Sequence, residues 1–474
     1  MDEKKDYKKI GFRCGIEIHQ QLDTHKLFCK CPSIVHDNNP DITFTRKLRP
    51  VAGETGEIDA AAMHEVLKGK YYAYEACSTS SCLVEMDEEP PHPINEEAVR
   101  IVLEAAQHMN AKIVDEIQVM RKTVIDGSNV SGFQRTALVA YNGHIETSKG
   151  IVRIQSICVE EDAAKKIETT KEYTKYRLDR LGIPLIEIAT DPDIKDPEHA
   201  KEVAEKLGMI LRSTKVKRGI GSIRQDVNIS IRGGARTEIK GFQDLKSIQK
   251  VIEKEVDRQI ELIRKGKKIN QEVRKAKPDF TTSFLRPMPG AARMYPETDV
   301  LPVKASFDGI EMSELIEDKI KRYVGKNKIS PDLAKALAKS DKADLFDNAM
   351  KKFKNLKSPF VAETLVSAPR EIRRKYNIDI SSMADKDYIK ILDYIDKGMI
   401  PKDAMLEVMI DFTKGKFDIS KYKGISEEDL EKEVKDAIIN NKGASTGALM
   451  GMIMAKFRGK VDGKRVMELL NKFS

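Results

Sequence analysis

A chain of 474 residues exceeds what one ordinary hydrophobic core serves, so two to four domains are expected. Apolar residues at 40% and charged residues at 33% set a soluble globular balance and exclude a disordered chain. The formal charge of +8 is too small by itself to demand a polyanionic partner. No apolar run reaches the roughly 18 to 20 residues that a spanning helix requires, and the charged N-terminus has no apolar stretch behind it, which predicts a cytoplasmic protein.

Up to about Val303, short β-branched runs alternate with helical stretches, the pattern of an α+β or α/β region. The first strand, residues 15–20, reads Gly-Ile-Glu-Ile-His-Gln. Its period of two sends Ile16 and Ile18 to one side and Glu17 and His19 to the other, so a carboxylate and an imidazole face the same space. Cys14, Cys29, Cys31, Cys77, Cys82 and Cys158 follow without a secretion signal, so thiols or a metal site are expected in place of disulfides. Residues 151–159 form a largely apolar strand that ends in Glu160-Glu161-Asp162. In residues 182–190 a lone Glu187 interrupts a run that otherwise reads as a fully buried strand, so it needs a cation, a metal or a hydrogen-bond partner.

Residues 222–231 put Arg224, Asp226, Asn228 and Ser230 on one face and Ile223, Val227, Ile229 and Ile231 on the other; Arg236, Glu238 and Lys240 again share a parity. Any one such strand is an ordinary amphipathic strand with a solvated face. Together, several carboxylates and one imidazole are what a divalent-cation site for phosphoryl chemistry needs, with Lys122, Arg224 or Lys240 available to neutralise phosphate oxygens. That composition names a metal-dependent enzyme but no substrate.

From Gly309 onward the pattern is helical: residues 311–323, 331–339, 385–397, 427–440 and 443–457. The Pro-containing segment 300–307 and the polar stretch 414–423 read as linkers, which gives three domains with boundaries near Phe307 and Tyr422. The C-terminal end is basic: Lys442, Lys456, Arg458, Lys460, Lys464, Arg465 and Lys472 stand against Asp462 and Glu468, so five of the eight net positive charges lie after Asn441. This suits a polyanion, and an ordinary solvated helix face explains the count equally well.

Several stretches carry a family resemblance. They are residues 15–22 (GIEIHQQL), 27–32 (LFCKCP), 82–92 around Cys82-Leu83-Val84-Glu85, Arg121-Lys122, Val159-Glu160-Glu161-Asp162-Ala163, Pro184-Leu185-Ile186-Glu187-Ile188, 223–230 (IRQDVNIS) and 293–299 (RMYPETD). With these the chain resembles the B/E family of glutamyl-tRNA(Gln) amidotransferase subunits, the archaeal E branch in particular; residues 442–459 look like the family's tail.

The resemblance implies an α+β fold with a β-rich cradle catalytic domain (1–307), an all-α helical domain (308–421) and a small helical tail domain that binds tRNA (422–474). It implies ATP-dependent phosphorylation of the side-chain carboxylate of glutamate on tRNA(Gln), then amidation by ammonia from a separate asparaginase-like subunit of the D type. Carried over residue by residue, it gives His19, Glu160 and Glu187 as main metal ligands, with Glu17 and Asp226 as close supporters. Lys122, Arg224, Glu238, Lys240 and Arg293 fall around phosphate, ATP or substrate. Lys442, Lys456, Arg458, Lys460, Lys464 and Arg465 form the tRNA-binding tail. Magnesium is the ion implied, and the histidine ligand leaves manganese open.

There are two departures from the family pattern. E-branch members usually carry a domain similar to one in bacterial aspartyl-tRNA synthetases between Val273 and the stretch 281–289, where only a few residues stand here. Some members also hold a structural zinc with a Cys-x-Cys pair and a later Cys-x-x-Cys pair. Cys29 and Cys31 match the first, whereas Cys77 and Cys82 have four residues between them, so the expectation is reduced, buried thiols with Cys29, Cys31, Cys77 and Cys82 as the candidate zinc set. A bacterial-type B subunit working with an amidase, or a tRNA-binding relative without catalysis, are the alternative readings.

Overall fold

The computed structural model describes residues 5–37, 39–50, 56–58, 60–242, 244–288, 294–422, 427–441, 443–457, 461 and 463–473. The chain divides into two compact units, Met1–Glu314 and Leu315–Ser474.

An 11-stranded sheet dominates the first unit, ten strands on one path and a short eleventh, Lys112–Ile113, off it. Its path uses β1 (Arg13–Gln21), β2 (Val119–Thr123), β3 (Phe133–Thr147), β4 (Gly150–Glu161), β5 (Pro184–Thr190), β6 (Ile223–Ser230), β7 (Thr237–Lys240), β8 (Glu272–Ala276), β9 (Thr282–Pro287) and β10 (Met294–Pro296), in the order β9-β8-β7-β6-β1-β5-β4-β3-β2-β10. The first strand is thus a central one, antiparallel to both β5 and β6. Its alternation is clear in burial: Cys14, Ile16 and Ile18 are essentially inaccessible, while Glu17 and His19 keep some exposure.

Three helices pack on this sheet: α1 (Glu96–His108), α2 (Pro197–Ser213) and α3 (Leu245–Arg264). Each starts at a side-chain cap that satisfies an otherwise orphaned amide. Asn95 accepts from the Ala98 amide, Asp196 from His199 and Asp244 from Ser247. The helices bury Val99, Val102, Val203, Leu207, Ile248 and Val256, the apolar stripe that a sheet-packed helix presents.

A separate four-stranded sheet runs Ile42–Arg46, Tyr71–Ala76, Tyr173–Arg177, Lys165–Thr169, with its middle pair parallel. Its core is aromatic. Tyr72, Tyr74 and Tyr176 are buried, and their hydroxyls donate to three successive carbonyls, those of Ile125, Gly127 and Asp126, at 2.7, 2.9 and 2.7 Å. The segment so held begins just after β2.

Where the resemblance places an inserted domain, β8 turns directly into β9. The Lys277 amide donates to the Thr281 carbonyl at 2.9 Å, and Phe280 takes a positive φ of 65° to close the turn. The segment read as a linker after Val300 contains the strand Val303–Lys304, paired with Glu116–Ile117. The helix expected from residue 311 starts at Ile316.

The second unit is helical. Its apolar residues fall into two clusters, one drawn from Ile316 to Tyr422 and the other from Leu430 to Leu470. No helix among the described residues is long and apolar enough to cross a membrane.

Candidate active site and metal centre

Strand register assembles the site. With β1 between β5 and β6, His19 stands directly across from Glu187 and Glu17 directly across from Asp226. Antiparallel partners share a face, so these side chains meet without any loop having to position them. Glu160 comes from β4, diagonal to Glu187 through the Glu187–Cys158 pair.

His19 Nε2 lies 3.1 Å from Glu187 Oε2, 3.4 Å from Glu160 Oε1 and 3.5 Å from Glu17 Oε1. Lys122 of β2 donates to Glu160 Oε2 at 2.9 Å and to Glu187 Oε2 at 3.4 Å. Thr136 Oγ1 donates to the same Glu160 oxygen at 3.3 Å. On the far side of Glu17, Lys240 of β7 is paired with Asp226 and lies 2.6 Å from Glu238 Oε1. The buried charge of Glu187 therefore has the cationic partners that its apolar strand demanded.

The charges perturb one another. Burial pushes the His19 imidazole down, but hydrogen bonds and charge from Glu160 and Glu187 outweigh it and raise its pKa to about 10. Burial, then the Glu187 charge, lifts Glu17 to about 7 against the pull of His19 and Lys240. Glu187 is itself held well below the usual carboxylate range: burial opposes its charge, and Lys122 and His19 overcome that. Carboxylates that crowd to this degree around an imidazole make a strong field for a cation.

Two donor triads result, His19–Glu160–Glu187 and Glu17–His19–Asp226, each with ligand atoms within 4.8 Å of one another. The donors are mostly hard oxygens, which fits magnesium or manganese, and His19 Nε2 joins once it gives up its proton. The ammonium groups of Lys122 and Lys240 already sit among these oxygens as monovalent counter-charges.

The remaining expected residues are distributed differently. Arg224 is turned to the fully buried Asp162, with Nη2 donating to Oδ1 at 2.9 Å, and its side chain stays 40% exposed. Glu238 is a partner of Lys240, which draws its carboxyl down against burial. Arg293 lies outside the described residues, as do Lys442, Arg458 and Lys460 of the tail. Lys456, Lys464 and Arg465 are exposed on the C-terminal helices; Lys456 reaches Glu433 at 2.7 Å and Arg465 reaches Glu468 at 2.8 Å.

The candidate zinc set needs a correction. Cys29, Cys31 and Cys82 converge, but the fourth donor is Glu85, and all four ligand atoms lie within 4.8 Å of one another. Cys77 points elsewhere: its sulfur accepts from Arg177 at 3.6 Å and its amide donates to Asp179. Cys82-x-x-Glu85 has the two-residue gap that Cys77 and Cys82 lack, and this spacing was the signal in the sequence. Cys29 Sγ donates to Glu85 Oε1 at 3.0 Å, and burial followed by the Glu85 charge pushes the Cys82 thiol up to about 11.

Two buried networks join residues that the sequence could not pair. Asp162 accepts from Gln21 Nε2 at 2.7 Å as well as from Arg224. Glu297, 1% exposed, accepts from Arg135 at 2.7 Å and from Arg121 at 2.5 Å, and so ties β2 and β3 to the segment after β10.

Comparison with known proteins gives a consistent result. Residues 12–311 match the GatB/GatE catalytic domain and residues 344–473 match the GatB domain. The chain is 38% identical to the E subunit of the glutamyl-tRNA(Gln) amidotransferase of Methanocaldococcus jannaschii, over 98% of this chain and 99% of that protein. It is 37% identical to the protein of that name from Archaeoglobus fulgidus, over 98% of each. With that of Methanococcus maripaludis the identity is 36%, again over 98% of each. The first of these alignments runs over 623 residues against the 474 of this chain, so that relative carries residues with no counterpart here.

Proposed function

The chain belongs to the GatB/GatE family as an amidotransferase subunit, and from this we propose that it converts Glu-tRNA(Gln) to Gln-tRNA(Gln) in the cytoplasm in two steps at the carboxylate cluster. A glutamyl carboxylate is a poor electrophile near neutral pH. An oxygen of that carboxylate attacks the γ-phosphorus of ATP, and ADP leaves. Ammonia then attacks the carbonyl carbon of the acyl phosphate, inorganic phosphate leaves, and the amide remains.

Magnesium, held by His19, Glu160 and Glu187 with Glu17 and Asp226 beside them, would neutralise triphosphate charge. The chain's own part is positioning. Lys122 sits where a phosphoryl oxygen can exchange for one of its two carboxylate partners, and the Arg224 guanidinium has more N–H groups than the two it gives to Asp162. His19 must give up the Nε2 proton that Glu160 and Glu187 hold in place. Residues 422–474 serve as the tRNA-binding tail and residues 308–421 as the helical domain that follows the cradle. An asparaginase-like subunit supplies the ammonia.

The observation that supports this reading is the convergence of His19, Glu160 and Glu187 from three different strands within 4.8 Å, with Lys122 bridging the two carboxylates. The test uses the chain in complex with its ammonia-supplying partner. ADP release that depends on Glu-tRNA(Gln) and magnesium, followed by Gln-tRNA on addition of ammonium, is the expected result. ATP hydrolysis indifferent to Glu-tRNA would overturn it. Co-purification of an amidase in place of an asparaginase-like protein would move the chain to the B branch.

A further inference from the structure

A second basic feature lies outside the carboxylate cluster. Beside the aromatic sheet is a pocket of about 240 Å³ whose wall carries Lys68, Lys70, Lys166 and Arg286 against Glu65 and Asp126. Lys68 is partly engaged, at 2.6 Å from Glu65, and the Lys166 ammonium lies 5.7 Å from the centre of the Tyr176 ring. Lys68 and Lys166 are exposed.

The aromatic floor is largely covered, and Leu285 adds one exposed apolar side chain to the wall. Tyr72 and Tyr176 are 5% and 1% exposed, and both hydroxyls are committed to loop carbonyls. A ligand meets ammonium and guanidinium groups and the hydroxyls of Thr169 and Thr174. That chemistry suits phosphate and ribose and leaves the base unread.

The pocket is close to the proposed reaction site along two independent routes. Asp126 follows Lys122 by four positions, in the segment pinned by the tyrosine hydroxyls. In the main sheet Glu238 pairs with Val273 and Val273 with Arg286, so Arg286 stands two strand spacings from Glu238, roughly 10 Å. Its charge is among those that lower the Glu238 carboxyl.

We propose that this pocket seats the sugar–phosphate backbone of the single-stranded 3′ end of the substrate tRNA, with Lys68, Lys166 and Arg286 binding its phosphates. The assignment rests on the function proposed above. If the triphosphate of ATP occupies the carboxylate cluster, the adenosine end of that nucleotide has no charge for a second cationic set to neutralise. A nucleic-acid strand brings one phosphate per nucleotide, so a strand whose terminal glutamyl group lies at the cluster presents its next phosphates at a basic wall close by.

The experiment measures binding of deacylated tRNA(Gln) to the full chain, and to the Lys68→Ala/Lys166→Ala double variant, at several salt concentrations. Each tRNA is used intact and shortened by its 3′ single-stranded nucleotides. The variant should bind intact tRNA on the order of tenfold more weakly, with a salt slope shallower by about 0.7 for each phosphate no longer neutralised. It should bind the shortened tRNA as the unsubstituted chain does. Equal weakening with both tRNAs, or no weakening, overturns the proposal, as does a raised Kd for ATP with tRNA binding unchanged. A Lys166→Glu variant, at an exposed position that tolerates charge, should deepen the effect, and failure to do so counts against it. Because the readout is binding, a chain that bound tRNA in this way and lacked Glu-tRNA-dependent ATP hydrolysis would sink the catalytic reading and leave the pocket standing.

Discussion

Replacing Glu187 by Gln keeps shape and hydrogen bonding to His19 and removes one charge from the centre of the cluster. In the ion-free protein Lys122 loses its 3.4 Å partner but retains Glu160 at 2.9 Å, so no cation is left stranded. The cost of removing one charge-assisted hydrogen bond while the other remains is about 2 kcal/mol, a few degrees in Tm. The sign follows from titration: Glu187 is held below its ordinary carboxylate value, so its charged form stabilises the fold above that range. The effect on chemistry is larger, because the missing charge faces the site of phosphoryl transfer. A fall on the order of 10² to 10³ in Glu-tRNA-dependent ADP release, about 3 to 4 kcal/mol, is expected. Affinity for tRNA should stay within about a factor of two, since no tRNA phosphate is proposed to bind there. Single-turnover phosphorylation with radiolabelled ATP and a filter-binding titration separate the two quantities. Loss of both in equal measure would show that Glu187 holds the fold and has no role in the reaction.

The proton on His19 predicts a pH dependence. Between Glu17 at about 7 and His19 at about 10, binding of manganese or magnesium should release about one proton and tighten roughly tenfold per pH unit. Calorimetry in buffers of different ionisation enthalpy reads the proton directly, and none released would remove His19 from the ligand set. In the ion-free chain the His19 contribution to stability is present below its ordinary pKa of 6.5 and is lost as pH rises through about 10. Deleting the residues after Asn441 should weaken tRNA binding and flatten its salt dependence; an unchanged slope would rule the tail out as a binding surface. Purified protein should hold less than one zinc per chain, because Glu85 stands where the family's zinc pattern has a fourth cysteine; a full equivalent released by Glu85→Ala would reverse that conclusion. Gly127→Ala should destabilise the first unit by about 3 kcal/mol or more, since φ is +85° and a Cβ would lie 2.1 Å from the Tyr72 ring. An unchanged urea midpoint would show that the tyrosine-held segment yields easily.

The parity of Glu17 and His19, and the need of Glu187 for a partner, are local facts of a strand and could be read from the sequence. Which strands neighbour one another is not local. That His19 opposes Glu187 and Glu17 opposes Asp226 follows from β1 lying between β5 and β6, strands more than 160 positions away that short-range patterns cannot pair. Glu160 lay at a strand end among three acids; its strand pattern did not single it out, the family resemblance did, and the fold brings it into the cluster while Glu161 goes to Arg135 and Asp162 to Arg224. Arg224 is the instructive case: its parity with Asp226 was evident, but the buried acid that draws it aside comes from a different strand end. The same holds for Glu85, which carries no sulfur and so escaped a count of cysteines.

The short turn from Lys277 to Thr281 has a broader consequence. Chain entry and exit there lie side by side at the tip of two antiparallel strands, the kind of place where a folded module can be spliced in or removed without altering what stands on either side. Glu238 is separated from that tip by the rest of β8, and its pairing with Val273 is fixed by the ladder. A lineage can therefore gain or shed a recognition appendage at this joint while the chemistry at the middle of the sheet stays in place.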